Sequence, residues 1–428
     1  MAEAGRERAP IAMPHATMHA DQPRSLWTDA GVSRVPYAVY ADPALYAREQ
    51  ERLFRGRLWH FLCLETELPS PGDFRTTRLG DAPIIAARAP DGTLHAFENR
   101  CAHRGSLVCL KPCGNAKALT CVYHSWSYDL TGRLVGVAFE RGVQGKGGMP
   151  PEFNRTEHGL RRLKVESFCG IVWGSYAAEA PPVETYLGPE IAARIRRVMR
   201  RPVKVIGRYT QILPNNWKLY IENVKDSYHA SLLHLFFTTF RLNRLSQPGG
   251  IIVDDSGGHH VSYSMLEPGA ASAEYDNAAL RARREDYRLA DPSLLFGRDE
   301  FGDGITLQIL SVFPTFVLQQ IQNSLVARQI VPNGVGETEL NWTYFGYEDD
   351  DEATTLLRLK QANLVGPGGY ISMEDGAVGG FVQRATAAAQ DESSVLMMGG
   401  HGVASQETRA TEVSVRGFWQ AWRREMEV

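Results

Sequence analysis

Two short cysteine–histidine pairs constrain this chain more than any other feature. Cys101-Ala102-His103 and Cys121-Val122-Tyr123-His124 stand seventeen residues apart. Each offers one thiolate and one imidazole from a tight turn. A [2Fe–2S] centre with two cysteines on one iron and two histidines on the other needs that donor set. If each loop gives one ligand to each iron, the two loops clamp the cluster symmetrically, and the chain carries electrons at the least. Structural zinc also accepts two sulfurs and two nitrogens, but zinc-binding turns usually pair like with like. Here both turns are mixed, and the first has a single intervening residue. Arg104-Gly105 follows the first pair and Ser125-Trp126 the second. Glycine at 105 lets the backbone fold closely around the sulfurs and offer N–H donors that tune the potential. The donor pattern favours the cluster over zinc.

Of the six cysteines, Cys101 and Cys121 are used in this way, leaving Cys63, Cys109, Cys113 and Cys169. No secretory apolar core opens the chain, and no apolar run approaches the length of a membrane span. A reducing, cytoplasmic setting is expected, with Cys109 and Cys113 as free thiols. At 428 residues and 43% hydrophobic content the chain is long enough for two or three domains with their own cores. A net charge of −3 gives no sign of a nucleic-acid or membrane partner. Residues 1–25 read as a loose arm.

Two regions follow. From Val35 to Tyr176, short alternating runs are broken by the turn signals Pro71-Gly72-Asp73, Asp91-Gly92 and Thr131-Gly132. Pro83 to Ala87 and Gly170 to Trp173 read as strands, with the Cys-His loops at the tips between such runs. Pro181-Pro182 marks a boundary. Beyond it, residues 184–200 read as a helix with Ile191, Ile195 and Val198 on one face. Strands are expected over Lys204–Leu213, His259–Met265, Ile305–Phe313, Phe316–Ile330 and Leu340–Tyr347. A helix is expected from Asp349-Asp350-Asp351 to Leu364, stopped by Gly366-Pro367-Gly368-Gly369, and a closing helix from Glu412 to Met426. The fold class is α+β: an all-β cluster domain, then an antiparallel sheet wrapped around helices.

A second donor constellation lies in Glu222 through His234. Asp226, His229 and His234 put two imidazoles and a carboxylate into nine residues. Two histidines and one carboxylate on one face of the metal are the ligand set of non-haem Fe(II) oxygenases, with positions left open for dioxygen. The carboxylate need not be local, and Glu374-Asp375 is the best distant candidate. At about 100° per residue, Asp226 and His229 share a helix face, whereas His229 and His234 differ by about 140°. A regular helix cannot aim both imidazoles at one ion, so a π-bulge, kink or break is expected between Ala230 and Leu233. A cluster supplies single electrons and such an iron consumes them. A pure electron carrier would leave residues 181–428 without a role, and a zinc-stabilised binding protein would be colourless.

Cys101 to Gly105, Cys121 to His124 and Glu222 to His234, in this order and spacing, resemble the α subunits of Rieske non-haem iron aromatic-ring-hydroxylating oxygenases, from Arg34-Val35-Pro36-Tyr37 onward. Ser106 and Tyr123 lie near the positions where respiratory Rieske proteins carry an extra, disulfide-forming cysteine, which points to the oxygenase branch. Gln361 to Pro367, Tyr370 to Asp375 and Leu325 to Gln329 are similar to the branch acting on benzoate-type acids, closest to anthranilate 1,2-dioxygenase large subunits, with salicylate 5-hydroxylases and halobenzoate dioxygenases as siblings. The resemblance implies an N-terminal arm (1–34) packed on the catalytic domain, a Rieske domain (35–178) and a catalytic domain (179–428) of helix-grip type. It implies one [2Fe–2S] cluster on Cys101, His103, Cys121 and His124, and one Fe(II) on His229, His234 and Asp375. Asp226 would bridge His229 to a cluster histidine, His124, of a neighbouring subunit. No iron-side role is carried onto Asn223, which lies three rather than four residues before Asp226. The implied reaction is dioxygenation of anthranilate to catechol with loss of CO2 and NH3, in a cytoplasmic α3β3 or α3 assembly. A ferredoxin and a flavin reductase would bring electrons from NAD(P)H.

Gln320 and Gln322 share one strand face and Gln319 takes the other; amides within such a strand are either pocket donors or ordinary outer-face residues. Arg328 and Arg384 are candidates to pair a substrate carboxylate. Arg194 to Arg201 reads as a solvated helix face.

Overall fold

Alternating apolar residues between Leu58 and Ser175 build a seven-stranded antiparallel sheet, seen in a computed structural model that describes residues 26–27, 31–265 and 286–428. Its strands run in the order His60–Leu64, Ile171–Ser175, Arg162–Phe168, Leu94–Glu98, Ala82–Arg88, Asp73–Leu79 and Cys113–Asn115. A small three-stranded sheet, Leu119–Thr120, Ser127–Tyr128 and Leu134–Gly136, packs beside it through Phe74, Ile85, Phe97, Trp126 and Tyr128. The loop of Cys101 leaves the Leu94–Glu98 strand, and the loop of Cys121 joins the first two strands of the small sheet. None of the six cysteines forms a disulfide.

A second seven-stranded antiparallel sheet follows, in the order Val203–Leu213, Thr338–Tyr347, Ser324–Pro332, Phe316–Ile321, Ile305–Val312, His260–Met265 and Gly249–Val253. The single strand expected over Phe316–Ile330 is a hairpin that reverses at Gln322, whose φ is +51°. No Gly or Pro marks that turn, which is why the pattern read through it.

Helices cover both faces of this sheet. Val183–Val198 buries Leu187, Ile191 and Ile195 against Leu310, Leu318, Ala327 and Phe345. Each such apolar side chain contributes about 1.5–3 kcal/mol. This helix is kinked at Gly188 (φ +72°), just before Pro189. On the other face, Trp217–Lys225 and Val413–Met426 bring Trp217, Ile221, Phe418 and Trp419 onto Val317, Val326 and Trp342. The expected helix after the acidic triplet runs Glu352–Val365, with Asp351 accepting the N–H of Thr354 at 2.7 Å. A further helix, Tyr370–Ala387, was not anticipated. Its glycines explain both the weak signal and the packing, since a Cβ at Gly379 would lie 2.1 Å from Asn215 Nδ2.

Of the arm expected over residues 1–34, residues 1–25 and 28–30 lie outside the described residues. Trp27 packs on Trp419 and Trp422, with ring centroids 5.7 and 6.0 Å away, and Arg34–Pro36 pairs with Ser393–Val395. Among the described residues no helix is long and apolar enough to cross a membrane.

Candidate active site

The two Cys-His loops are built alike. In the first, Cys101 N–H donates to Ser106 O at 2.8 Å and Gly105 N–H to Cys101 O at 2.9 Å; in the second, Cys121 N–H donates to Trp126 O at 2.9 Å and Ser125 N–H to Cys121 O at 3.0 Å. The fourth residue after each cysteine is left-handed, Gly105 at φ +74° and Ser125 at φ +55°. Glycine takes that conformation freely, and serine takes it at a cost that the paired loop bonds offset. Both cysteines are buried, while His103 is exposed and His124 half-buried. The imidazole centroids lie 4.5 Å apart, and His103 stacks on Trp126 at 4.8 Å. The Tyr128 hydroxyl stands 3.3 Å from Cys101 Sγ and accepts the Ala102 N–H at 3.1 Å, a contact of the kind that tunes a cluster's potential. Two sulfurs inside and two imidazoles toward the surface, on matched turns, fit a [2Fe–2S] group.

The second constellation starts from a capped helix. Asn216 accepts the Lys218 N–H at 3.1 Å to begin Trp217–Lys225, which ends at Asp226 (ψ +96°). Asp226 Oδ1 then accepts the N–H groups of Tyr228 (2.8 Å) and His229 (3.4 Å), drawing its own turn. One helical turn, Ala230–Leu233, follows, and the backbone leaves it at His234 (ψ +99°). The helix is thus broken, as the angular argument requires, but at Asp226 and at His234 rather than between Ala230 and Leu233. The two breaks swing both imidazoles to one side, with ring centroids 5.3 Å apart.

The Nε2 atoms of His229 and His234 stand 3.4 and 3.3 Å from Asp375 Oδ1. One ligand atom from each of the three residues lies within 4.8 Å of the others. The outward nitrogens are held by carboxylates: His229 Nδ1 is 3.2 Å from Asp226 Oδ2, and His234 Nδ1 is 2.8 Å from Glu374 Oε2. Asn223, set aside in the sequence reading, donates to Asp375 Oδ1 at 3.0 Å. Burial alone lowers the pKa of His229, yet its bonds to Asp226 and Asp375 push it up to about 10. Such a concentration of negative charge around imidazoles is what a divalent cation relieves, so the donor set fits Fe(II).

Glu222, one turn before Asp226, accepts from the Tyr40 hydroxyl at 2.8 Å and from Trp419 Nε1. Burial, with repulsion from Asp226, raises its pKa to about 7. The raised folded value means that Glu222 favours the fold fully below its ordinary 4.5, and that this contribution is lost as pH rises through about 7. Glu222→Gln should remove this dependence, worth about 3 kcal/mol, so that melting temperatures flatten between about pH 4.5 and about pH 7 relative to the parent chain.

A cavity opens beside the three donors, floored by the second sheet. Leu307, Ile309, Ile321 and Phe237 give apolar walls, and Gln319, Arg328 and Arg409 also line it. Gln319 is 3% exposed and its Nε2 has no partner among the described residues. Arg328 is 5% exposed; it donates to the Tyr220 hydroxyl at 2.8 Å and lies over Trp342 at 4.8 Å, but among the described residues no carboxylate pairs with it and its Nε has no partner.

Of the strand amides, Gln320 and Gln322 are engaged away from the pocket. Gln320 accepts from Arg197 Nη1 and donates to Ile305 O, and Gln322 accepts from Gln361 in the hairpin turn. Gln319, on the opposite face, is the pocket residue. Arg384 is exposed beside Phe381. The run from Arg194 to Arg201 is largely engaged within the chain, Arg197 with Asp303 and Arg201 with Asp349 and Glu300.

Loops that fit a cluster and a pocket that fits a lone iron define a two-centre iron oxygenase. Residues 58–145 match the Rieske [2Fe-2S] domain, and residues 194–428 match the ring hydroxylating alpha subunit (catalytic domain). The chain is 60% identical to terephthalate 1,2-dioxygenase, terminal oxygenase component subunit alpha 2, of Comamonas sp, over 94% of this chain and 97% of that one. It is 45% identical to the anthranilate 1,2-dioxygenase large subunit of Burkholderia cepacia (92% and 93% covered) and 40% to the large oxygenase component of salicylate 5-hydroxylase of Ralstonia sp (94% and 96%). Its fold is that of naphthalene 1,2-dioxygenase from Rhodococcus sp. (TM-score 0.77, 23% identity, 92% and 94% covered). The chain belongs to the α subunits of the Rieske-type aromatic-ring-hydroxylating oxygenases. It is an oxidoreductase that carries a [2Fe–2S] cluster and a non-haem iron. The anthranilate assignment made from sequence does not stand out, since the terephthalate relative is the more similar of the two.

Proposed function

We propose that this chain is the terminal oxygenase subunit that dihydroxylates an aromatic carboxylate, with terephthalate, a 1,4-dicarboxylate, preferred to anthranilate or salicylate. The observation that carries the reading is Arg328, a buried guanidinium on the wall of the iron-side pocket with no anionic partner among the described residues. A buried charge needs a counter-ion, and a substrate carboxylate supplies one. The 60% identity to the terephthalate relative supports a second carboxylate.

In this reading Cys101, Cys121, His103 and His124 hold the cluster in a domain spanning 35–178, and His229, His234 and Asp375 hold Fe(II) in a catalytic domain spanning 179–428. When bound, the cluster supplies single electrons and the iron supplies open positions for dioxygen. The chain's own residues do the rest. Glu374 bonds His234 Nδ1 at 2.8 Å, and the Asp226 carboxylate stands 3.2 Å from His229 Nδ1; both hold the rings so that Nε2 faces inward. Tyr220 and Trp342 hold the Arg328 guanidinium so that its free edge meets a carboxylate, and the Gln319 amide lies diagonally across the hairpin from it. Leu307, Ile309 and Ile321 exclude water from the ring. Asp226 links His229 to His124 of a neighbouring subunit in an α3 or α3β3 assembly, with a ferredoxin and flavin reductase as electron donors and a cytoplasmic setting.

The purified chain should be red-brown, with about three irons per chain. With electrons supplied, oxygen-dependent product should form faster from terephthalate than from anthranilate, salicylate or benzoate. Zinc in place of iron ends the oxygenase reading; faster turnover of anthranilate ends the dicarboxylate preference alone.

A further inference from the structure

The turn that carries Asp226 is gripped on both sides by one segment of the C-terminal region. Lys225, the last residue of the Trp217–Lys225 helix, has a carbonyl that the helix itself leaves without a donor. Ser414 Oγ donates to it at 2.6 Å. Two residues on, Ser227 Oγ donates to the carbonyl of Arg409 at 2.7 Å. Both serines are buried, Ser414 at 0% and Ser227 at 7% exposure. The two bonds run in opposite directions between residues 225–227 and 409–414, and Asp226 is the residue between them. The Lys225 ammonium adds a third tether, donating to Gly258 O at 2.8 Å. At the other end of the grip, the Arg409 side chain is held by Asn243 and by Arg244 O and lines the substrate pocket.

We propose that Ser227 and Ser414 are positioning residues: their paired hydroxyl-to-carbonyl bonds clasp the Asp226 turn to the Arg409 segment, so that occupancy of the pocket sets the placement of Asp226 against His229. This inference rests on the reading of the pocket that Arg409 lines as the substrate site and of Asp226 as the electron bridge. Helix capping alone would account for the Ser414 bond. It does not account for the second bond in the reverse direction, which flanks the same carboxylate and ends on the backbone of a pocket arginine. Hydroxyl-to-carbonyl bonds of this kind are directional, and buried ones cannot be replaced by water without opening the structure.

The test uses the full chain loaded with both iron centres and terephthalate as the probe. Calorimetry measures binding, and hydrogen exchange measures protection of a peptide covering residues 222–232 with and without terephthalate. In the parent chain the ligand should increase protection of that peptide. In Ser414→Ala, whose side chain does not line the pocket, terephthalate should still bind. The ligand-induced protection, and the product formed per oxygen consumed, should each fall about fivefold. Ser227→Ala, at a residue that itself lines the pocket, should show the same loss of protection and yield with its binding measured alongside, whereas Ser227→Thr, which keeps the hydroxyl, should retain both; these two variants carry the test if Ser414→Ala does not fold. Parent-like protection and yield in both alanine variants would overturn the clasp. Failure of terephthalate to bind the parent chain is a different result: it removes the dicarboxylate reading, and this inference with it.

Discussion

Asp226→Asn should retain both iron centres and lose coupled product formation by about 100-fold. The substitution keeps the side chain's size and one oxygen, so the turn bonds from the Tyr228 and His229 N–H groups survive. What it removes is an anionic acceptor 3.2 Å from His229 Nδ1. An amide placed there carries no charge, and the imidazole loses the anion that holds and orients it. Asp226→Ala removes the turn bonds as well, so its iron content should also fall. The comparison separates orientation from folding: iron analysis and the cluster's spectrum should be normal in the asparagine variant and product yield alone should collapse. Parent-level product from Asp226→Asn would refute the bridging role.

How much of this was legible in the sequence depends on whether the signal was chemical or geometric. The cluster donors were readable because thiols and imidazoles at short mixed spacings have few other uses. The need for a broken helix at His229 and His234 followed from angular arithmetic, but its location did not. That arithmetic takes no account of a carboxylate such as Asp226, which competes for backbone N–H groups and ends the helix itself. Alternation put Gln319 and Gln320 on opposite strand faces, and the structure agrees. Which face was the pocket could not be read, because helices cover both sides of the sheet and neither face shows a polar bias. Asn223 and Glu374 were displaced by one residue from where a motif would seek them, and only the fold brings them to the two histidines and Asp375. Tyr370–Ala387 hid its helix behind glycines that serve close packing.

Removing the Arg328 guanidinium should have the largest effect on substrate choice. Arg328→Met fills similar volume, so the sheet should fold, but an aromatic carboxylate would then be buried without its charged partner. Truncating one member of a buried, hydrogen-bonded charge pair costs about 3–5 kcal/mol, which corresponds to a loss of about 10²–10⁴ in kcat/KM, expressed as a higher KM. The loss should be specific to anions: the uncharged methyl ester of the same acid should lose less than about tenfold, because it never used the charge. Arg328→Lys should recover only part of the difference. An ammonium restores the charge but not the planar fork held by Tyr220 and Trp342. Gln319→Leu should act in the same direction with a smaller effect, about tenfold, since it removes a neutral donor. Equal losses for acid and ester in Arg328→Met would mean that the arginine supports the pocket's shape rather than reading its ligand's charge. The partner of that buried cation would then have to be sought outside the substrate.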